Sequence, residues 1–296
     1  MSSFALFLGC LIPRHLPHME LAARMVLKRL GIQVVELPGA SCCPEPMGIQ
    51  GLDHKTWLAL AARNLCIAEE LNLDILTLCN GCYETLKTAN TLLGENPHLK
   101  AETNVVLAKI GKQFQGKIEV FHLIQILYED VGPQKIRDLV QTPLKGIKVG
   151  AHYGCHLVRP STIMKFDDPE QPSSLDKLIV ALGAKSVRYP QKMLCCGAGL
   201  RGIDSASAMA IARIKLANMK RAGVDCMAVT CPYCMIQYDL SQHLIQRAFN
   251  EVYSIPVFYY PELLCLAMGE RLETLGFKFH RVDTTPVLEK IQGSIS

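Results

Sequence analysis

Asp74-Ile75-Leu76-Thr77-Leu78-Cys79-Asn80-Gly81-Cys82 is a β-rich run that ends in C-x2-C and leads into a helical pattern. Met227-Ala228-Val229-Thr230-Cys231-Pro232-Tyr233-Cys234 does the same further along the chain. Working outward, each C-x2-C is preceded by a cysteine pair, Cys42-Cys43 or Cys195-Cys196, and before that by a single cysteine, Cys10 or Cys155. The two sets read C-x31-CC-x35-C-x2-C and C-x39-CC-x34-C-x2-C, offset by 145 to 153 residues. Cys10 and Cys155 each follow a glycine and each have an arginine four residues on, Arg14 and Arg159. An internal duplication follows, with two like lobes over 1–145 and 146–296.

Strands and helices alternate within each lobe. Residues 19–30 and 55–72 read as amphipathic helices and Gln33–Leu37 as a strand; in the second lobe Ser174–Leu182 and Ser205–Arg221 read as helices and Lys185–Tyr189 as a strand. The segment 96–142 reads as helical, a connection that packs the lobes together, and 167–172 as a surface loop. The cysteines then fall just after strands, in loops that begin helices. That is the carboxyl edge of an open α/β sheet, where such folds place ligands, so the expected class is α/β with two Rossmann-like lobes.

Composition narrows the chemistry. The 296 residues are 49% hydrophobic and 20% charged, which is globular, and they include 13 cysteines, an odd number that fits a secreted disulfide framework poorly. A reducing, cytoplasmic location is expected. The run Phe4–Cys10 lacks a preceding basic residue and is too short for a signal, and no stretch reaches the length of a membrane span. A net charge of +4 without a basic run gives no reason to expect nucleic-acid binding.

A tetrahedral zinc site or a cubane cluster takes four ligands, whereas each lobe offers five thiols, two of them adjacent. Neighbouring side chains diverge and suit two metal atoms better than one, so a polynuclear iron–sulfur site in each lobe is expected. A zinc knuckle, a redox dithiol and a vicinal disulfide are the alternatives. Cys66, Cys226 and Cys265 have no counterpart in the other lobe and read as buried structural thiols. Gly197-Ala198-Gly199-Leu200-Arg201-Gly202 matches a dinucleotide fingerprint, with Asp225 as its acid. Its place directly after Cys195-Cys196 favours another role, in which Gly197 and Gly199 let backbone N–H groups approach a cluster. His152 reads as a strand-end residue.

The doubled pattern resembles the cysteine-rich CCG domain family. Phe7-Leu8-Gly9-Cys10-Leu11-Ile12-Pro13, Ser41-Cys42-Cys43-Pro44, Leu78-Cys79-Asn80-Gly81-Cys82, Tyr153-Gly154-Cys155-His156 and Cys195-Cys196-Gly197-Ala198-Gly199 together are similar to heterodisulfide reductase B subunits, over the whole chain. The resemblance implies a noncubane [4Fe–4S] cluster in each lobe, held by Cys10, Cys42, Cys43, Cys79 and Cys82 and by Cys155, Cys195, Cys196, Cys231 and Cys234. It also implies reduction of the mixed disulfide of coenzyme M and coenzyme B between the clusters. One cluster on each side of the S–S bond gives each sulfur one electron and an iron to bind. The anionic ends of such a substrate call for cations, and Arg14, Arg159 and Arg201 are the candidates, with His156 as proton donor. No C-x2-C-x2-C-x3-C-P run and no flavin motif is found, so electrons come from partners. The resemblance names a cubane-cluster C subunit and a flavin-bearing A subunit that couples the reaction to ferredoxin reduction. Competing readings are an electron-relay subunit for lactate, glycolate or sulfur-compound oxidation, and a zinc-stabilised scaffold.

Overall fold

The computed structural model describes residues 3–293. Among these, eight strands form two four-stranded parallel sheets. The first contains β1 (Ser3–Phe7), β2 (Gln33–Glu36), β3 (Asp74–Thr77) and β4 (Val120–His122) in the order β2-β1-β3-β4. The second contains β5 (Lys148–His152), β6 (Lys185–Ser186), β7 (Cys226–Val229) and β8 (Val257–Tyr259) in the order β6-β5-β7-β8, the same path repeated. The expected α/β class with two similar lobes is what the chain adopts.

Register extends the likeness. Phe4 to Phe7 pair with Asp74 to Thr77, and Val149 to His152 pair with Cys226 to Val229. The inner strands are mostly apolar and buried along nearly their whole length, as parallel strands covered on both faces require. Helices His54–Leu71 and Ser205–Arg221 begin in the same way. Asp53 accepts a hydrogen bond from Thr56 N at 3.0 Å, and Asp204 accepts one from Ser207 N at 3.0 Å, each satisfying an N-terminal donor of its helix.

The chain forms two compact units that do not follow chain order. One comprises the chain up to His15, Leu27–Leu123 and His156–Pro169; the other comprises Leu16–Val26, Ile124–Cys155 and everything from Glu170 on. The core of the first is built on Trp57, Phe7 and Tyr83, and that of the second on Tyr153, Phe258 and Tyr260, all fully buried.

Two expectations are corrected, and one strand was not expected at all. Segment 96–142 is not helical throughout: after helix Pro97–Ala108 it contributes β4, the edge strand of the first sheet, before turning helical again at Leu123. The strand expected at Lys185–Tyr189 pairs only over Lys185–Ser186: at the edge of the sheet it has one neighbour, and beyond the bond from Val187 N to the Val149 carbonyl the chain leaves β5, which Tyr189 meets through its hydroxyl instead. Strand β8, three residues long, carried no periodicity strong enough to be read.

Candidate functional site

In the first unit β1 ends at Phe7 and the chain turns through Gly9 into Cys10. Gly9 holds φ +66°, and a Cβ there would lie 2.8 Å from the Cys82 sulfur, so only glycine fits. Cys79 is the N-cap of helix Asn80–Glu95 directly after β3, and Cys82 lies in that helix's first turn. The loop carrying Cys42-Cys43 is pinned by buried Asn64, whose Oδ1 accepts from Ser41 N (2.9 Å) and whose Nδ2 donates to the Cys42 carbonyl (3.1 Å). The five thiols form a hydrogen-bonded line, Cys10 to Cys42 to Cys43 to Cys82 to Cys79. Cys10 and Cys42 are exposed, while Cys43, Cys79 and Cys82 are buried.

The second unit repeats the line in the same order: Cys155, Cys195, Cys196, Cys234, Cys231. Its outer members, Cys155 and Cys195, reach solvent and its inner three are buried. Backbone N–H groups point at sulfur here, Gly197 N at Cys195 Sγ and Ala198 N at Cys196 Sγ, both 3.4 Å. Hydrogen bonds from neighbouring thiols hold Cys195, and in the first unit Cys43, well below the usual thiol range, and push Cys155 and Cys82 above it. Most of the ten are thus held as neutral thiols beside one readily ionised neighbour in each line, and metal binding would deprotonate the rest. All thirteen cysteines are free thiols. An unbroken line of five, with backbone donors to sulfur, exceeds what one tetrahedral ion uses and suits iron–sulfur clusters.

The surroundings of the two lines differ at corresponding positions. Three residues before the first cysteine stands Phe7 in one unit and His152 in the other. Eleven residues after the helix-capping aspartate stand Asn64 and Lys215, and four after the last cysteine stand Leu86 and Tyr238. In the second unit these three polar residues meet. Lys215 Nζ, fully buried, donates to His152 Nδ1 (2.9 Å) and to the Lys192 carbonyl (2.6 Å), and His152 Nε2 lies 3.1 Å from Cys234 Sγ. Since an ammonium only donates, His152 accepts at Nδ1 and carries its proton on Nε2, facing the sulfur. Burial, and then Lys215, hold His152 well below its ordinary pKa, and burial brings Lys215 down to about 8. Tyr238 lies edge-on to the His152 ring at 4.9 Å, and its buried hydroxyl has no hydrogen-bond partner among the described residues.

Comparison with known proteins agrees with this geometry. The cysteine-rich domain (CCG) family profile matches residues 4–87 and 149–239, once per lobe. The chain belongs to the CCG family. It is 43% identical over 293 residues to the B subunit of the ferredoxin/F(420)H(2)-dependent CoB-CoM heterodisulfide reductase of Methanosarcina acetivorans, covering 98% of this chain and 97% of that one. A protein of Archaeoglobus profundus described as like the heterodisulfide reductase B subunit is 36% identical over 91% of each chain. The 8-methylmenaquinol:fumarate reductase membrane anchor subunit of Wolinella succinogenes is 30% identical over 95% of this chain and 98% of its own. A crystal structure of a hypothetical protein from Helicobacter pylori superposes with a TM-score of 0.78 at 16% identity. It covers 96% of this chain, which spans about half (52%) of that structure's length, and it supports the fold alone. The resemblance to heterodisulfide reductase B subunits, which are oxidoreductase subunits of a multi-subunit complex, thus runs over nearly the full chain. Among the described residues no helix is long and apolar enough to cross a membrane.

The other residues singled out for this CCG chain are placed as follows. Arg14 is exposed in the short helix Leu11–His15 that follows Cys10. Arg159 is half-buried and donates twice to the Pro169 carbonyl, at 2.9 and 2.6 Å, which ties down the loop 167–172. Arg201 donates to Ser241 Oγ at 2.8 Å. His156 Nδ1 lies 3.7 Å from Glu84 Oε2, two residues beyond Cys82. Gly197, at φ +81°, packs on helix Ser205–Arg221, where a Cβ would sit 3.0 Å from the Ala208 carbonyl oxygen. Gly199 lies in the turn Ala198–Leu200. Asp225 precedes β7, at the amino end of the sheet, and accepts from Lys148 N (2.6 Å) and Lys290 Nζ (2.9 Å). A ribose-binding acid belongs at the opposite, carboxyl end, so the glycine motif serves the cysteine loop rather than a dinucleotide.

Lys215 and Tyr238 were missed by sequence reading, and His152, read as a strand-end residue, does end β5 but also faces Cys234 Sγ. Setting the two lobes in register would have shown them, because each is polar where its counterpart in the first lobe is apolar or uncharged.

Proposed function

We propose that this chain is the disulfide-reducing subunit of a cytoplasmic heterodisulfide reductase complex, acting on the mixed disulfide of coenzyme M and coenzyme B. The observation that carries the reading is the pair of five-thiol lines, identical in contact order, each open to solvent at one end. The ten cysteines would hold two noncubane [4Fe–4S] clusters, which when bound supply one electron each and Lewis-acidic iron. Buried Cys43, Cys79 and Cys82, and buried Cys196, Cys231 and Cys234, would anchor the clusters, leaving Cys10, Cys42, Cys155 and Cys195 on the approach side.

The chain's own contributions are binding, shielding and proton delivery. Arg14, exposed in the short helix after Cys10, would meet an anionic end of the substrate, with Arg159 and Arg201 as further cations. His156, held toward Glu84, would give a proton to a departing thiolate. Gly197 N and Ala198 N keep donors on sulfur. Electrons would arrive through a cubane-cluster C subunit from a flavin-bearing A subunit, since this chain carries no ferredoxin-type cysteine run.

The test is spin resonance on anaerobically purified chain. About eight irons per chain and a new signal when the heterodisulfide is added to oxidised protein are expected. Two zincs with no iron would sink the proposal. A second reading, an electron-relay CCG subunit, draws on the 30% identity to the Wolinella succinogenes subunit. Under it the iron is present and the heterodisulfide leaves the signal unchanged.

A further inference from the structure

Outside the cysteine lines, the second unit contains a second set of metal-type donors. His18, Glu262 and His280 each offer one donor atom, and the three lie within 4.8 Å of one another. All three side chains are out of solvent. Among the described residues His18 has no hydrogen-bond partner on either ring nitrogen, although burying an imidazole unpaired costs free energy that native proteins rarely leave uncompensated. Glu262 accepts from Tyr259 N through Oε2 at 2.7 Å and meets His280 Nε2 through Oε1 at 3.0 Å.

Charge points the same way. Glu262 and Asp239 are both buried carboxylates acting on the His280 ring, and Asp239 accepts from the backbone N–H groups of Arg281 and Val282, at 2.8 and 3.0 Å. One imidazolium leaves the pair a charge short, whereas a divalent ion with neutral histidines balances both carboxylates. The walls are apolar. Phe279 stacks on His18 at 6.0 Å, and Phe258 and Phe277 flank His280 at 5.6 and 5.7 Å, so water competes weakly for a cation held there. Gly276 brings the 276–280 turn against His18, where a Cβ would come within 3.1 Å of the His18 Cβ.

We propose that His18, Glu262 and His280 bind one divalent ion of the zinc class, a site separate from the ten cysteines. Two imidazoles and a carboxylate match the ligand preferences of zinc or cobalt, with a water in the fourth position. The ion would staple residues 16–26 to the C-terminal segment of the same unit, cross-linking positions far apart in the chain, where a link removes the most freedom from the unfolded state.

Cobalt(II) reports the site independently of the clusters. Added to the purified full chain with its iron in place, it should bind one equivalent with visible tetrahedral bands and no thiolate-to-cobalt charge transfer. His18→Ala should bring that equivalent to zero at unchanged iron content. His18→Cys should keep the ion and add the charge-transfer band, which covers the case in which the alanine variant fails to fold. Wild-type chain that takes up no cobalt beyond thiolate-ligated ion would overturn the proposal, as would a His18→Cys chain that binds cobalt without the new band.

Discussion

Replacing Lys215 by Met should lower the reduction potential of the second cysteine site while leaving the first unchanged. The lysine is fully buried, its ammonium hydrogen-bonds His152 Nδ1 at 2.9 Å, and His152 Nε2 contacts Cys234 Sγ at 3.1 Å. Two contacts and one imidazole put the charge at most about 8 Å from the sulfur, so at an effective dielectric of about 20 it is worth about 2 kcal/mol. For a one-electron step that is about 90 mV. Burial brings the lysine pKa down to about 8, so near pH 7 it remains mostly charged and holds the wild-type potential up. Raising the pH from 7 to 9 should therefore lower the second potential in the wild type and leave it flat in Lys215→Met. The first site has uncharged Asn64 at the corresponding position and serves as an internal control. Redox titration of the full chain, followed by spin resonance at both sites, reads the effect. Unshifted potentials, or equal shifts at both sites, would refute the reasoning.

Three further outcomes follow from the geometry. Gly9→Ala places a methyl 2.8 Å from Cys82 Sγ on a backbone at φ +66°, so iron per chain should fall by about half, with the loss confined to the first lobe; undiminished iron would contradict the close approach. Burial pushes Cys66 up to about 12 and raises Cys226 as well. In chelator-treated but folded chain at pH 8, iodoacetamide should modify Cys66 about a thousandfold more slowly than a free thiol, and exposed Cys195 first; mass mapping checks the order. Lys215 also links stability to pH. It titrates near 8 when folded and near 10.5 when unfolded, so between those values the unfolded state binds more protons and the protein gains stability as pH rises. Urea melts at pH 8 and 10.5 should show wild type gaining up to about 3 kcal/mol relative to Lys215→Met, and no relative gain would place the lysine outside the core.

The fold was readable because duplication writes the same instruction twice. A β-rich run, C-x2-C and a helix, repeated with matching cysteine pairs, points to two parallel sheets with cysteines at their carboxyl edges even where single strands are too short to register, as β4 and β8 are. That the ten cysteines gather in two sets of five was readable for the same reason. What could not be read is what distinguishes the lobes, because it rests on contacts between residues far apart in sequence. Lys215 meets His152 across 63 residues and His152 meets Cys234 across 82. His18 looks like an ordinary residue of an amphipathic helix until Glu262 and His280 fold against it. These unread contacts bear most directly on electron flow. Two identical clusters would have equal potentials and no preferred direction between them. With Phe7, Asn64 and Leu86 around one thiol line and His152, Lys215 and Tyr238 around the other, a single electron would rest on the second site, nearer the buried cation. Duplication therefore explains why there are two sites, and the divergence of these three positions gives a physical reason for the two to act in order.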